Sequence, residues 1–146
     1  MTARSSSGFT LMEILVVVLI IGLLTTVLAN NLIGRARQAQ IDLASAQIQR
    51  LEASLEMYRL DNGRYPTQDQ GLEALVREPT ADPPPKRWFQ YAKAKQIEDP
   101  WGMPYQYRNP GQHNPQSFDL YSFGPDSAEG GEGELADITN WEEELH

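Results

Sequence analysis

The chemistry of this chain starts at a single carboxylate. From Phe9 to Leu32 the sequence reads FTLMEILVVVLIIGLLTTVLANNL, and Glu13 is its only ionisable side chain. A carboxylate in hydrocarbon costs on the order of 2.5 kcal/mol or more, so Glu13 requires a partner or a task. Gly8 stands just before the apolar run. Cutting the chain after it removes the polar leader MTARSSSG and exposes a new α-amino group on Phe9. That amine, four residues away in the same chain, competes with the Phe9 ammonium of a neighbouring copy, which, offset along a filament axis, would neutralise Glu13 in a low dielectric and set the axial register. The plainer alternative is a signal anchor of an unrelated single-pass protein. A second candidate lies near the other end, in FGPDSAEGGEGELADITNW from Phe123 to Trp141, where Asp126, Glu129, Glu132, Glu134 and Asp137 are set among Gly and Pro. Ca²⁺ takes about six to eight oxygens, and such a loop offers carboxylates and main-chain carbonyls together. The spacing is not that of an EF-hand, so composition alone favours a solvated acidic loop.

Other reactive types carry less. His113 and His146 are the only histidines, and with no Cys or second His beside them they read as solvated. Ser5 to Ser7 and Ser122 lack a nucleophile-base arrangement, and no glycine-rich phosphate loop is present, so no catalysis is expected. Trp88, Trp101 and Trp141 read as packing aromatics. A formal charge of −8 argues against a nucleic-acid-binding body.

The elements that must position these residues follow from hydrophobic patterning. With 146 residues, 40% of them hydrophobic, the chain suffices for one small domain and an appendage. Residues 9–32 make about 24 residues or roughly 36 Å of helix, enough for a hydrocarbon core of about 30 Å. Positive charges flank both ends, at Arg4 and at Arg35 and Arg37, so the cleavage motif rather than charge places the leader in the cytoplasm. Further on, Ile41, Ala44, Ile48, Leu51, Leu55 and Tyr58 recur at spacings of three and four, predicting an amphipathic helix that continues from the anchor. Asp61-Asn62-Gly63 should stop it. Thr67 and Gln70 predict a capping box that opens a short helix carrying Leu72, Leu75 and Val76. Ala81 to Pro85 reads as a surface connector, and Tyr105 to Arg108 and Phe118 to Phe123 as antiparallel strands. The expected fold is α+β, a long N-terminal helix on a small antiparallel sheet. The expected division is a leader at 1–8, an anchor at 9–32, and a head at 33–146 that includes the loop 123–141.

The segment Gly8-Phe9-Thr10-Leu11-Met12-Glu13, with its short leader and apolar run, resembles the type IV pilin and pseudopilin superfamily. That resemblance implies cleavage after Gly8 by a prepilin peptidase, N-methylation of Phe9, and a role for Glu13 in assembly. Three further segments narrow it: Tyr58 to Pro66 with Gln70-Gly71-Leu72, then Asp99-Pro100-Trp101-Gly102, then Gly124-Pro125-Asp126 leading to Asp137-Ile138-Thr139-Asn140-Trp141. Together they look like the major pseudopilins of type II secretion systems. What this implies is a homopolymeric filament, with minor pseudopilins, on an inner-membrane assembly platform. The anchor would be single-pass in the inner membrane with the head in the periplasm, and filament growth would export folded exoproteins through an outer-membrane secretin. It also implies calcium in the C-terminal loop, with Asp126 and Asp137 giving carboxylates and Phe123, Ala128 and Thr139 giving carbonyl or hydroxyl oxygens. The chain departs from the family in having Asn30 where a Pro is usual. The alternatives are a surface pilin for adhesion or twitching and a DNA-uptake pilin. Surface pilins usually close this loop with a disulfide, and the absence of Cys favours the pseudopilin.

Overall fold

Thr10 opens the first helix. In the computed structural model, which describes residues 8–141 and leaves out the side chains of 27–31, α1 spans Leu11–Asn62. The Glu13 amide bonds both the Thr10 carbonyl (3.1 Å) and Thr10 Oγ1 (3.2 Å), so Thr10 acts as an N-cap. Leader residues 1–7, the Asn30 side chain and the tail 142–146 with His146 lie outside the described residues. The chain divides into two units, one up to Arg37 and the other from Gln38 onward.

In the first unit the large side chains of α1 are exposed, Leu11 at 86% and Leu23 at 63% among them. Thr25 and Thr26 donate their hydroxyls back to the carbonyls of Ile21 (2.7 Å) and Gly22 (3.0 Å), so neither of these two hydroxyl hydrogens is left unpaired. Among the described residues no helix is long and apolar enough to cross a membrane. The described apolar side chains, Leu11 to Thr26, cover roughly 24 Å of helix, short of a core of about 30 Å. Much of the remaining expected span, to Leu32, falls on side chains outside the described residues.

In the second unit the expected stripe is the core. Ala44, Ile48, Leu51, Leu55 and Tyr58 are 0 to 2% exposed, and Ile41 packs against them. Helix α1 ends as its sequence predicts. Gly63 adopts φ 76°, a region open to Gly, and its amide reaches the Arg59 carbonyl at 2.7 Å. The two capping-box bonds between Thr67 and Gln70 form at 3.1 and 3.3 Å, but the helix does not begin there. Gly71 has a positive φ of 55°, and the short helix α2 covers only Glu73–Val76. The 81–85 connector lies at the surface as expected, and it is tied to the preceding turn: Gln70 Nε2 donates to the carbonyls of Ala81 and Pro83, and Arg64 also donates to Pro83.

The sheet is antiparallel, ordered β1-β2-β3, with β1 at Gln106–Arg108, β2 at Asp119–Ser122 and β3 at Ile138–Thr139. Tyr107 pairs with Leu120, and Ser122 with Ile138. The hairpin was legible in the sequence. The third strand was not, because Ile138 and Thr139 sit in a segment whose acidic composition reads as loop. Phe123 also leaves the predicted strand to lead a 3-10 turn at Gly124–Asp126. Leu120, Phe118 and Ile138 meet the helix stripe in one core. Tyr105 fixes the sheet to α1, donating its hydroxyl to Gln47 Oε1 at 2.7 Å, and burial, reinforced by the Asp99 charge, raises its phenol and keeps it protonated.

Asp119 organises the 109–118 connection. It is 2% exposed and accepts from the amides of Gln112, His113 and Asn114 at 2.6 to 2.9 Å. Burial opposes its ionisation, but the donations from His113, Asn114 and Gln112 outweigh it and hold the carboxyl below its ordinary value. Because the folded value is depressed, this stabilisation is present above the ordinary carboxyl range and is lost as pH falls through the lowered value. His113 is exposed, as its sequence context suggests, but it is not merely solvated: its ring stacks on Trp141 at 4.1 Å with a 3° interplanar angle.

Candidate functional site

Two regions carry the candidate residues, one in each unit of the chain. At the N-terminus Gly8 is exposed, and a Cβ added there would meet nothing within 4 Å. Phe9 is 77% exposed and precedes α1. Glu13 lies in the first turn of α1, where the helix dipole favours a negative charge. The capping bond to Thr10 uses the backbone amide of Glu13, so its carboxylate is not what starts the helix. The Thr10-x-x-Glu13 spacing was the available signal for this cap.

The C-terminal loop leaves β2, makes 3-10 turns at Gly124–Asp126 and Gly133–Leu135, and returns as β3. Ser127 takes a left-handed conformation, φ 55°. Asp126 Oδ1 accepts from the Ala128 amide at 3.2 Å, so Ala128, expected to offer a carbonyl, also orients the carboxylate beside it. Asp137 closes the loop by accepting from the Gly130 amide at 3.0 Å through Oδ2. Its other oxygen, Oδ1, is buried without a hydrogen-bond partner. Thr139 is paired in β3 and spends its hydroxyl hydrogen on the Trp141 carbonyl at 2.9 Å, leaving its oxygen lone pairs. Phe123 packs edge-on against Tyr121 at 5.6 Å.

One orphaned carboxylate oxygen and the all-oxygen chemistry of the expected set are compatible with a hard cation. A buried carboxylate oxygen with no donor costs on the order of 1–3 kcal/mol or more, and a cation would satisfy it. Among the described residues no three His, Cys, Asp or Glu side chains gather, and the expected set itself has only two carboxylates, Asp126 and Asp137, its other donors being main-chain and hydroxyl oxygens. An all-oxygen set suits Ca²⁺ rather than Zn²⁺. Sequence reasoning missed the residues that hold the loop ends. Ser122 Oγ donates to Asp99 Oδ2 at 2.6 Å, and Asn140 Nδ2 donates to Glu52 Oε1 at 3.1 Å. No local motif announces contacts between residues 23 and 88 positions apart.

Comparison with known proteins gives a consistent answer. The family described as "Type II secretion system (T2SS), protein G" matches residues 31–141, and the prokaryotic N-terminal methylation motif matches residues 3–29. The chain is 48% identical over 143 residues to the type II secretion system core protein G of Pseudomonas aeruginosa, covering 97% of this chain and 99% of that one. It is 46% identical to the core protein G of Vibrio cholerae, over 94% of this chain and 93% of that one. Among solved structures, the crystal structure of the major pseudopilin from the type 2 secretion system of enterohaemorrhagic Escherichia coli aligns with a TM-score of 0.63. The two are 42% identical, over 75% of this chain and 89% of that one. None of these relatives is a surface pilus subunit, and that alternative is not favoured. The chain belongs to the type II secretion system protein G family, the major pseudopilins.

Proposed function

We propose that this protein is the repeating subunit of a type II secretion pseudopilus, anchored in the inner membrane with its head in the periplasm. The observation that carries this reading is the 48% identity to a core protein G across 97% of the chain, which takes in the processing motif, the helix and the acidic loop together. In this reading a prepilin peptidase cleaves after Gly8 and methylates the Phe9 amine. The apolar segment 9–32 then holds subunits in the membrane before assembly and packs them within the filament afterwards. Glu13 accepts the Phe9 ammonium of a neighbouring subunit, which removes both charges from hydrocarbon and specifies one axial register. Growth from the inner-membrane platform, with minor pseudopilins at work in the assembly, moves folded exoproteins toward the secretin. Calcium bound by Asp126 and Asp137, with oxygens of Phe123, Ala128 and Thr139, orders the C-terminal loop of a chain that has no cysteine to staple it.

Processing is tested by the mass of the protein in sheared filaments. The expected N-terminus is Phe9 carrying one methyl group, with residues 1–8 absent. An intact leader on filament protein contradicts the proposed cleavage.

A further inference from the structure

The cation loop is tied at both ends by side chains that are not among its expected ligands. At its entrance stands Ser122, the last residue of β2 and 1% exposed. Its hydroxyl donates to Asp99 Oδ2 at 2.6 Å and accepts from the Gly124 amide at 3.0 Å. These bonds bracket Phe123 and fix where the turn carrying Asp126 begins. Asp99 is itself immobilised. It is 4% exposed, and its Oδ1 accepts from the amides of Trp101 (3.0 Å) and Met103 (2.8 Å).

At the exit, Asn140 directly follows Thr139. Its Oδ1 accepts from the Leu120 amide at 2.9 Å, its own amide returns to the Leu120 carbonyl at 3.0 Å, and its Nδ2 reaches Glu52 Oε1 on α1 at 3.1 Å. The two ends also meet at the base of the loop. A Cβ on Gly124 would lie 3.2 Å from the Ala136 carbonyl oxygen, so the backbone before Asp126 and the backbone before Asp137 are already in close approach.

We propose that the Ser122–Asp99 and Asn140–Glu52 pairs are positioning residues for the cation loop, setting its calcium affinity from outside the ligand set. The inference rests on the calcium reading given above. A loop held at both ends loses less conformational freedom when the ion arrives, so more of the interaction energy appears as affinity. Without one of these ties, part of that energy goes into ordering residues between Phe123 and Thr139. Supporting residues around metal ligands commonly change affinity by about 10- to 100-fold. Coupling of this kind is reciprocal, so calcium also tightens the contact between Asn140 and α1.

The test titrates calcium into the full chain in detergent micelles, well below the melting temperature of each variant, and follows melting with calcium and with EDTA. Glu52→Ala and Ser122→Ala are expected to weaken calcium binding about tenfold and to shrink the calcium-induced rise in melting temperature. Glu52→Gln, which keeps the accepting oxygen on a half-buried helix position, is expected to bind as the wild type does. A purely structural role would lower both melts equally and leave the dissociation constant unchanged in all three variants, which overturns the inference. If the wild type binds calcium and Asp126→Ala does not, that result leaves the calcium reading standing. If the wild type itself binds no calcium, the calcium reading fails, and this inference with it.

Discussion

Cells producing the Glu13→Ala variant are expected to yield no filaments, while the variant protein accumulates in the membrane at wild-type levels. The separation between assembly and folding follows from the geometry. The N-terminal cap of α1 joins Thr10 Oγ1 to the backbone amide of Glu13, and alanine retains that amide. The substitution costs the helix about 0.3–1 kcal/mol of dipole interaction, which does not unfold it. What it removes is the proposed acceptor for a neighbouring Phe9 ammonium, which on that proposal is left in hydrocarbon at a cost on the order of 2.5 kcal/mol or more in every subunit. A polymer repeats this cost along its length, so the effect is near-total. Electron microscopy of sheared material, with immunoblots of the membrane fraction, checks both halves. Normal filament yield from Glu13→Ala would remove the charge pair from the account.

Chelating calcium is expected to lower the melting temperature of the protein by on the order of 10 °C, and Asp126→Ala to abolish the difference between calcium and EDTA. A ligand at a hundred times its dissociation constant stabilises a fold by about 2.7 kcal/mol, and each kcal/mol moves the melting of a domain this size by about 4 °C or more. The magnitude is large because, between its tied ends, the loop has little regular structure. Its turns are 3-10 turns of three residues, and Asp137 Oδ1 has no donor. Asp126→Ala leaves an exposed turn, so the variant should fold and melt like the chelated wild type. Superimposable melts of wild-type protein with and without calcium would contradict the proposed site.

Much of this was legible because it is local or periodic. The stripe from Ile41 to Tyr58 has only one way to bury itself, and Asp61-Asn62-Gly63 ends the helix through a residue free to take positive φ. The hairpin follows from aromatic alternation on either side of a turn-rich segment. What escaped depends on distance in sequence. Strand β3 is two residues long, paired to Tyr121 and Ser122, and follows an acidic, glycine-rich stretch ending in Asp137. Its existence is set by Ile138 entering the core, which no local propensity reveals. The Thr67–Gln70 capping box formed, yet Gly71 deferred the helix to Glu73. Of the proposed site, composition offered only five acidic residues in a turn-rich loop, and it was the family resemblance that singled out Asp126 and Asp137. Its supports at Asp99, Ser122, Asn140 and Glu52 were not legible, since each reads as an ordinary polar residue until the chain is folded.

The central claim is that this chain builds a secretion pseudopilus rather than a surface pilus, and deletion of its gene tests it most directly. The prediction is that proteins normally found in the medium are retained in the periplasm, while surface piliation and twitching persist and the wild-type chain restores export. Export that continues in the deletion strain while piliation is lost would contradict it.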